Sequence, residues 1–238
     1  MQKSFQNTTL ILGGSGGLGS AMAQRFAQDP TRQVLAIGRS DGENGQPSFE
    51  YKNEASLASA ALWVQKQCSS APLTTVIVAT GILHSESGSP ERSWSQLDSG
   101  YLQEVMLVNA IGPALAVKHF APLLAKDQNT LWTMISAKVG SIGDNALGGW
   151  YGYRASKAAL NQIVKTASIE MTRRNKLAIC VAVHPGTVAT KLSEPFSKAG
   201  LNVRSPEVAA EDIFNVIQQL KPSDTGSFVD YLGNKLPW

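Results

Sequence analysis

The run Gly13-Gly14-Ser15-Gly16-Gly17-Leu18-Gly19 puts five glycines into seven positions, and it limits what this chain can fold into more than any other stretch. It follows Thr8-Thr9-Leu10-Ile11-Leu12, which is short, apolar and partly β-branched. It precedes residues 20–28, where Met22, Ala23, Phe26 and Ala27 fall at helical spacing. The pattern is strand, glycine turn, helix. Glycines accept the positive φ angles of a tight turn and let the backbone approach a ligand or a neighbouring strand closely. The helix start offers free N–H groups and a positive dipole end, which suit a pyrophosphate. Two spacings coexist, Gly14-x-Gly16-x-x-Gly19 and Gly13-x-x-x-Gly17-x-Gly19. Both make Gly13, Ser15, Gly16, Gly17, Leu18 and Gly19 candidate contacts to a dinucleotide. A Walker P-loop is excluded, because no Gly-Lys-Ser/Thr closes the run.

The rest of the chain alternates in the same way. Apolar segments at 33–37, 48–51, 73–79, 130–136, 177–183 and 227–232 read as further strands. Helical patterns fall between them, at 54–68, 94–125, from Tyr153 to about Arg174, and after the cap Ser205-Pro206-Glu207. This predicts an α/β fold, a doubly wound parallel sheet forming a single Rossmann-type domain over 1–238, since no Pro/Gly/Ser linker divides the chain. Residues 191–205 have little regular pattern and read as a substrate lid.

Composition narrows the partners. Hydrophobic residues make up 43% and charged residues 16%, enough apolar material for one buried core. The net charge of +3 is spread without a basic run, which argues against nucleic acid. The first residues lack a signal-peptide core, and no apolar run approaches the ~20 residues that span a bilayer, so no membrane is expected. Cys68 and Cys180 lie far apart in apolar segments and read as buried thiols of a reducing compartment, hence a cytoplasmic protein. The three histidines show no ligand spacing, so no metal is expected. His184 reads as a packed strand-end residue.

In an open α/β sheet, ligands sit at the carboxyl ends of the strands. The second strand ends at Gly38-Arg39-Ser40, where NAD-selecting folds place an acid for the ribose hydroxyls. A guanidinium flanked by the hydroxyls of Ser40 and Ser15 suits a 2′-phosphate instead, so NADP(H) is favoured over NAD(H). Gly81 follows the strand at 73–79, and Pro185-Gly186-Thr187-Val188-Ala189-Thr190 follows the one at 177–183. Tyr153 and Lys157 are four residues apart, on one face of a helix, and can point into the same cavity. A cation near a phenol favours the phenolate and suits it to proton transfer. Asn109, a polar amide inside an apolar helix, marks either a kink or a water site.

With the glycine turn, Asn109, Tyr153, Lys157 and the Pro185-Gly186 turn in this order, the chain resembles the short-chain dehydrogenase/reductase family across essentially its full length. Residues 135–145, 148–150 and 153–161, His184-Pro185-Gly186-Thr187-Val188 and the terminal Pro237-Trp238 are similar to its C-factor-like branch. The resemblance implies an NADP(H)-dependent oxidoreductase that moves hydride between nicotinamide and a small carbonyl or alcohol substrate. Tyr153 would be the general acid/base. Lys157 would lower its pKa and hold the nicotinamide ribose, Asn109 would keep a water in the proton relay, and Val188 and Thr190 would fix the carboxamide. It also implies a homodimer or homotetramer. The alternative is a C-factor-like nucleotide-binding signalling protein with little turnover. One position departs from the family: its strand ends Ser-Ser-x-x-Gly, and here the second serine is Ala137. Ser136 and Ser141 are the remaining candidates for the catalytic hydroxyl, and Ser141, twelve residues before Tyr153 on a glycine-flanked loop, is slightly preferred.

Overall fold

The computed structural model describes residues 5–42, 45–194 and 202–238. Its centre is a parallel sheet of six strands: β1 (Asn7–Leu12), β2 (Arg32–Ile37), β3 (Leu73–Val78), β4 (Thr130–Ile135), β5 (Ala178–His184) and, last in the chain, β8 (Phe228–Asp230). The order across the sheet is β2-β1-β3-β4-β5-β8. Two short strands, β6 (Thr187–Val188) and β7 (Val203–Arg204), form a separate parallel pair. The chain leaves β1 for β2 on one side and returns to β3 on the other. That reversal opens a crevice at the carboxyl end of β1, the place where such sheets bind ligands.

Alternation along each strand builds two apolar layers. Leu10, Leu12, Val76, Val78, Trp132, Met134, Cys180 and Phe228 face α2 (Glu54–Gln67), α4 (Gly112–Phe120) and α5 (Tyr151–Arg174). Ile11, Ile77, Leu131, Ile135, Val181 and Val229 face α1 (Gly17–Phe26) and α6 (Pro206–Gln219). These layers hold the fold. Each fully buried Leu or Ile contributes roughly 1.5–3 kcal/mol, against about 0–1 kcal/mol for an exposed pair such as Lys138 with Asp144. Local caps fix where helices begin: Asn53 accepts from Ala55 at α2, and Ser205 accepts from Val208 ahead of Pro206 at α6.

Four sequence expectations are corrected. Residues 48–51 form no strand: after Pro47 the chain makes one bond to Gly38, from Phe49 N–H, and Glu50 N–H is taken by the Ser56 hydroxyl at the start of α2. The helix expected at 94–125 is divided, with α3 (Ser99–Met106) capped by Asp98, a π turn over Leu107–Ile111, then α4. The whole stretch Ser99–Leu123 is in fact long and apolar enough to cross a membrane by length and composition. Tyr101, Val105, Asn109, Ala116 and Phe120 along it are nevertheless packed in the interior. Finally, the segment at 191–205 carries β7 at its far end, while its residues 195–201 lie outside the described residues.

Candidate active site

The glycine turn brings α1 close against the sheet. A Cβ on Gly19 would lie 2.2 Å from the Gly13 carbonyl oxygen, and one on Gly14 would lie 2.7 Å from Ala36 Cβ. Gly13, at φ +97°, passes against the backbone of Ala79 and Thr80. Helix α1 begins at Gly17 rather than at residue 20, and its N-cap, Gly16, offers no side-chain hydrogen bond. The first N–H groups, at Gly17, Leu18 and Gly19, are thus left for a ligand. An uncapped helix start behind a turn that requires glycine at 13, 14 and 19 fits a pyrophosphate.

Neighbouring candidates converge on this edge. Thr190 lies over Gly17, with its Cγ2 3.1 Å from where a Cβ would be. Ser15 covers Gly38, leaving Arg39 and Ser40 exposed beside it. Gly186 takes φ +76°, and the preceding Pro185 carbonyl accepts a bond from Arg204 Nη1 at 3.2 Å. Val188 is buried and pairs with Arg204 across β6 and β7. Arg204 also pairs with Asp212 on α6 and stacks over Tyr231, so it ties the end of the 191–205 segment to the scaffold. His184 is pushed down to about 4 by burial and is neutral at working pH.

Tyr153 and Lys157 stand one turn apart near the start of α5, and both are buried. Tyr153 is packed with Leu83, Tyr101 and Val105, and Ile82, Ala137, Val139, Trp150 and Leu192 border that cluster. Lys157 Nζ lies 5.9 Å from the centre of the Tyr153 ring and donates to the Ile135 carbonyl at 2.9 Å. Burial brings its ammonium down to about 8. Burial, with a smaller contribution from Tyr101, pushes the Tyr153 phenol well above its ordinary value. Desolvation is the first cause acting on both groups, and Lys157 is not among the causes acting on the phenol.

Asn109 sits in the π turn, where the widened helix aims its amide at the loop after β3. Its Oδ1 accepts from Ile82 N–H and its Nδ2 donates to the Ile82 carbonyl, both at 2.8 Å. Nδ2 also donates to Ser156 Oγ at 3.1 Å, and Ser156 Oγ donates to the Tyr153 carbonyl at 2.8 Å. Asn109 thus staples the Gly81-Ile82 loop to α5, and both amide hydrogens are used in doing so. A Cβ on Gly81 would lie 3.4 Å from Asn109 Oδ1 and 3.5 Å from Lys157 Nζ, so these three residues meet.

The two serines have other partners. Ser136 Oγ donates to Asn161 Oδ1 on α5 at 2.6 Å, and Ser141 Oγ accepts from Asp144 N–H at 3.1 Å. From this segment Ala137 and Val139 pack against the apolar cluster that contains Tyr153, so the side chain where the family pattern has its second serine is here a methyl group. Two residues that the sequence reading missed also shape the site: Ser156, and Glu91, whose carboxylate meets Gly152 at the start of α5. Placing a serine at Ala137 should return a hydroxyl to the edge of the Tyr153 cluster. We expect Ala137→Ser to raise turnover by about tenfold, the worth of roughly one hydrogen bond. Ser136→Ala and Ser141→Ala should leave turnover at saturating cofactor unchanged. A loss of turnover in Ser141→Ala with unchanged thermal stability would restore that serine to the reaction.

Comparison with known proteins agrees with this geometry. The family model described as short chain dehydrogenase matches residues 7–200. The 1-hydroxy-2-glutathionyl-2-methyl-3-butene dehydrogenase of Rhodococcus sp. (strain AD45) is 26% identical, covering 98% of this chain and 100% of that protein. The C-signal of Myxococcus xanthus is 30% identical over 60% of this chain and 81% of its own length. Among solved structures, the NADPH-bound carbonyl reductase from chicken fatty liver superposes with a TM-score of 0.84 at 24% identity, covering 98% of this chain and 100% of that one. The carbonyl reductase Sniffer of D. melanogaster gives 0.82 at 21% identity, with the same coverage. The glycine turn at the head of the sheet and the match over most of the chain together place this protein in the short-chain dehydrogenase/reductase family of oxidoreductases, with C-factor-like relatives.

Proposed function

We propose that the protein is an NADP(H)-dependent reductase of small carbonyl compounds. The observation that carries this reading is the meeting of Tyr153, Lys157, Asn109 and Gly81 beside an uncapped glycine turn. When bound, the nicotinamide supplies the hydride. Tyr153, kept protonated by burial, gives its proton to the carbonyl oxygen and takes one in the reverse direction. Lys157 lends positive charge behind it, and Asn109 keeps the Gly81-Ile82 loop in place. Arg39, Ser15 and Ser40 hold the 2′-phosphate, while Pro185, Gly186, Val188 and Thr190 hold the nicotinamide end. Residues 191–205 act as the lid, a role supported by the packing of Leu192 on the Tyr153 cluster. The carbonyl reductases among the structural neighbours support the same direction of reaction.

Titration with NADPH and NADH, followed by a panel of aldehydes and ketones, tests this reading. Tighter NADPH binding and its oxidation on at least one carbonyl are expected. A second reading, a nucleotide-binding signalling protein with slight turnover, is favoured by the similarity to C-signal and by the methyl group at Ala137. Tight NADPH binding without oxidation on any carbonyl would decide for it. The proposal extends to a cytoplasmic homodimer or homotetramer. For the oligomer, its support is a groove of about 450 Å³ between α4 and α5, lined in part by Val117, Leu124 and Met171.

The pH dependence follows from the two buried groups. The Lys157 ammonium is charged below about 8 and is lost above it, while the raised phenol stays protonated across that range. For carbonyl reduction, kcat/KM should therefore be level below about 8 and fall as pH rises through that value. Lys157→Arg, always charged, should remove the fall. A profile that instead rises between neutral pH and 9 would contradict the assignment of Tyr153 as acid and Lys157 as its cation.

A further inference from the structure

Glu91 is the one buried carboxylate among the described residues, with 2% of its surface exposed. Its two carboxylate oxygens accept from Gly152 N–H at 3.2 and 3.1 Å, and its own carbonyl accepts from Trp150 N–H at 2.5 Å. A single residue thus grips both 150 and 152, just ahead of Tyr153. Burying an unpaired carboxylate costs several kcal/mol. What offsets that cost here is the positive end of a 24-residue helix whose first N–H groups have no local cap.

The surrounding geometry is tight. Trp150 stands at φ 53°, the left-handed region that a bulky residue rarely enters, and no side-chain cap comes from it. Its indole packs edge-on against the Tyr153 ring, with centroids 6.1 Å apart. A Cβ on Gly152 would lie 3.1 Å from Glu91 Oε1 and 3.0 Å from Leu102 Cδ2, so glycine is what lets the carboxylate approach. An ordinary cap would come from a Ser, Asp or Asn beside the helix. Here it comes from 61 residues upstream, out of the segment between β3 and α3.

We propose that Glu91 is a positioning residue for carbonyl reduction: by clamping residues 150 and 152 it fixes where the phenol of Tyr153 points. The inference rests on the reduction reading above. A purely stabilising cap would lower the melting temperature and spare turnover in the folded protein. A positioning clamp acts on turnover at retained cofactor affinity.

Three variants separate the two roles. Misplacing a catalytic group by about 1 Å can lower turnover by ~10²-fold, so Glu91→Ala should lower kcat roughly 10- to 100-fold while KM and NADPH affinity stay within about threefold. Glu91→Gln keeps an acceptor oxygen for Gly152 and should restore most of kcat. Gly152→Ala displaces the carboxylate without removing it and should reproduce the loss, which also decides the matter if Glu91→Ala does not fold. Unchanged kcat in the displaced variants, an equal loss of NADPH affinity, or failure of Glu91→Gln to rescue overturns the proposal. A second readout needs no turnover: in protein carbon-labelled at tyrosine Cζ, the Tyr153 signal, assigned with Tyr153→Phe, should shift or split in Glu91→Ala as in Gly152→Ala and return in Glu91→Gln, while that of Tyr231 stays. The Glu91 variants are needed because a Cβ at 152 also meets Val105 of the Tyr153 cluster, at 3.2 Å. An unmoved Tyr153 signal overturns the clamp even if the wild type reduces carbonyls. A moved one upholds it even if the wild type reduces none and the reduction reading has failed.

Discussion

Tyr153→Phe should lower turnover by ~10² to 10⁴, the usual range for a lost general acid, and should leave NADPH affinity nearly intact. The ring is buried with Leu83, Tyr101 and Val105, and burial pushes its phenol up, which suits the role of proton donor proposed for it. Phenylalanine keeps the same packing against Leu83, Val105 and Trp150. The variant should therefore melt at or slightly above the wild-type temperature, since a hydroxyl is removed from a desolvated site. Tyr151 is the control. It lies two residues earlier, is half-exposed at 39%, and should tolerate phenylalanine without loss. Turnover and calorimetry on the two variants check this. If Tyr151→Phe is the damaging change, the proton donor has been assigned to the wrong residue.

Why the placement of Tyr153 near Lys157 could be read from the sequence, while the contact of Glu91 could not, is a matter of range. The spacing of Tyr153 and Lys157 is local, and helical geometry alone puts both on one face. The central strands were legible for the same kind of reason: runs such as 73–78 are β-branched or apolar and buried on both faces, because helices cover both sides of a parallel sheet. Glu91 stands in a polar, turn-rich segment and meets its partner 61 residues away, and no local pattern encodes that meeting. The run at 48–51 misled because its apolar residues serve the core without forming a ladder: Phe49 and Tyr51 pack beneath α2 and α4, and Tyr51 bonds Thr80 through its hydroxyl at 2.8 Å.

Asn109 lies between these cases. Its oddness inside an apolar helix was visible, but its work was not. Only the folded backbone shows the π turn over Leu107–Ile111 and that the amide pairs with both the N–H and the carbonyl of Ile82. The serines teach the reverse lesson. Sequence spacing kept Ser136 and Ser141 open, and side-chain direction decided where each hydroxyl goes, into Asn161 and onto Asp144. Strand pleating turns alternate residues to opposite faces, so it is the neighbour of Ser136, Ala137, that packs against the cluster containing Tyr153.

Arg39→Ala should weaken NADPH binding by roughly 10- to 150-fold, the equivalent of losing one charge-assisted contact of ~1.5 to 3 kcal/mol, and should change NADH binding little. The guanidinium is exposed at the end of β2, beside a Ser15 hydroxyl that sits against Gly38. That hydroxyl also closes the alternative. A Cβ at position 38 would lie 2.5 Å from Ser15 Oγ, so an acid cannot stand there to bind the ribose hydroxyls unless Ser15 gives way. Gly38→Asp alone should then weaken both cofactors, while Gly38→Asp combined with Ser15→Gly and Arg39→Ala should favour NADH. An exposed ion contact is screened by salt, so the NADPH preference of the wild type should shrink as ionic strength rises, and that of Arg39→Ala should not. Titrating both cofactors against the four proteins at two salt concentrations measures every one of these differences. Equal losses of NADPH and NADH in Arg39→Ala would mean that the 2′-phosphate is held by other groups, and the selectivity assigned to Arg39 would have to be abandoned.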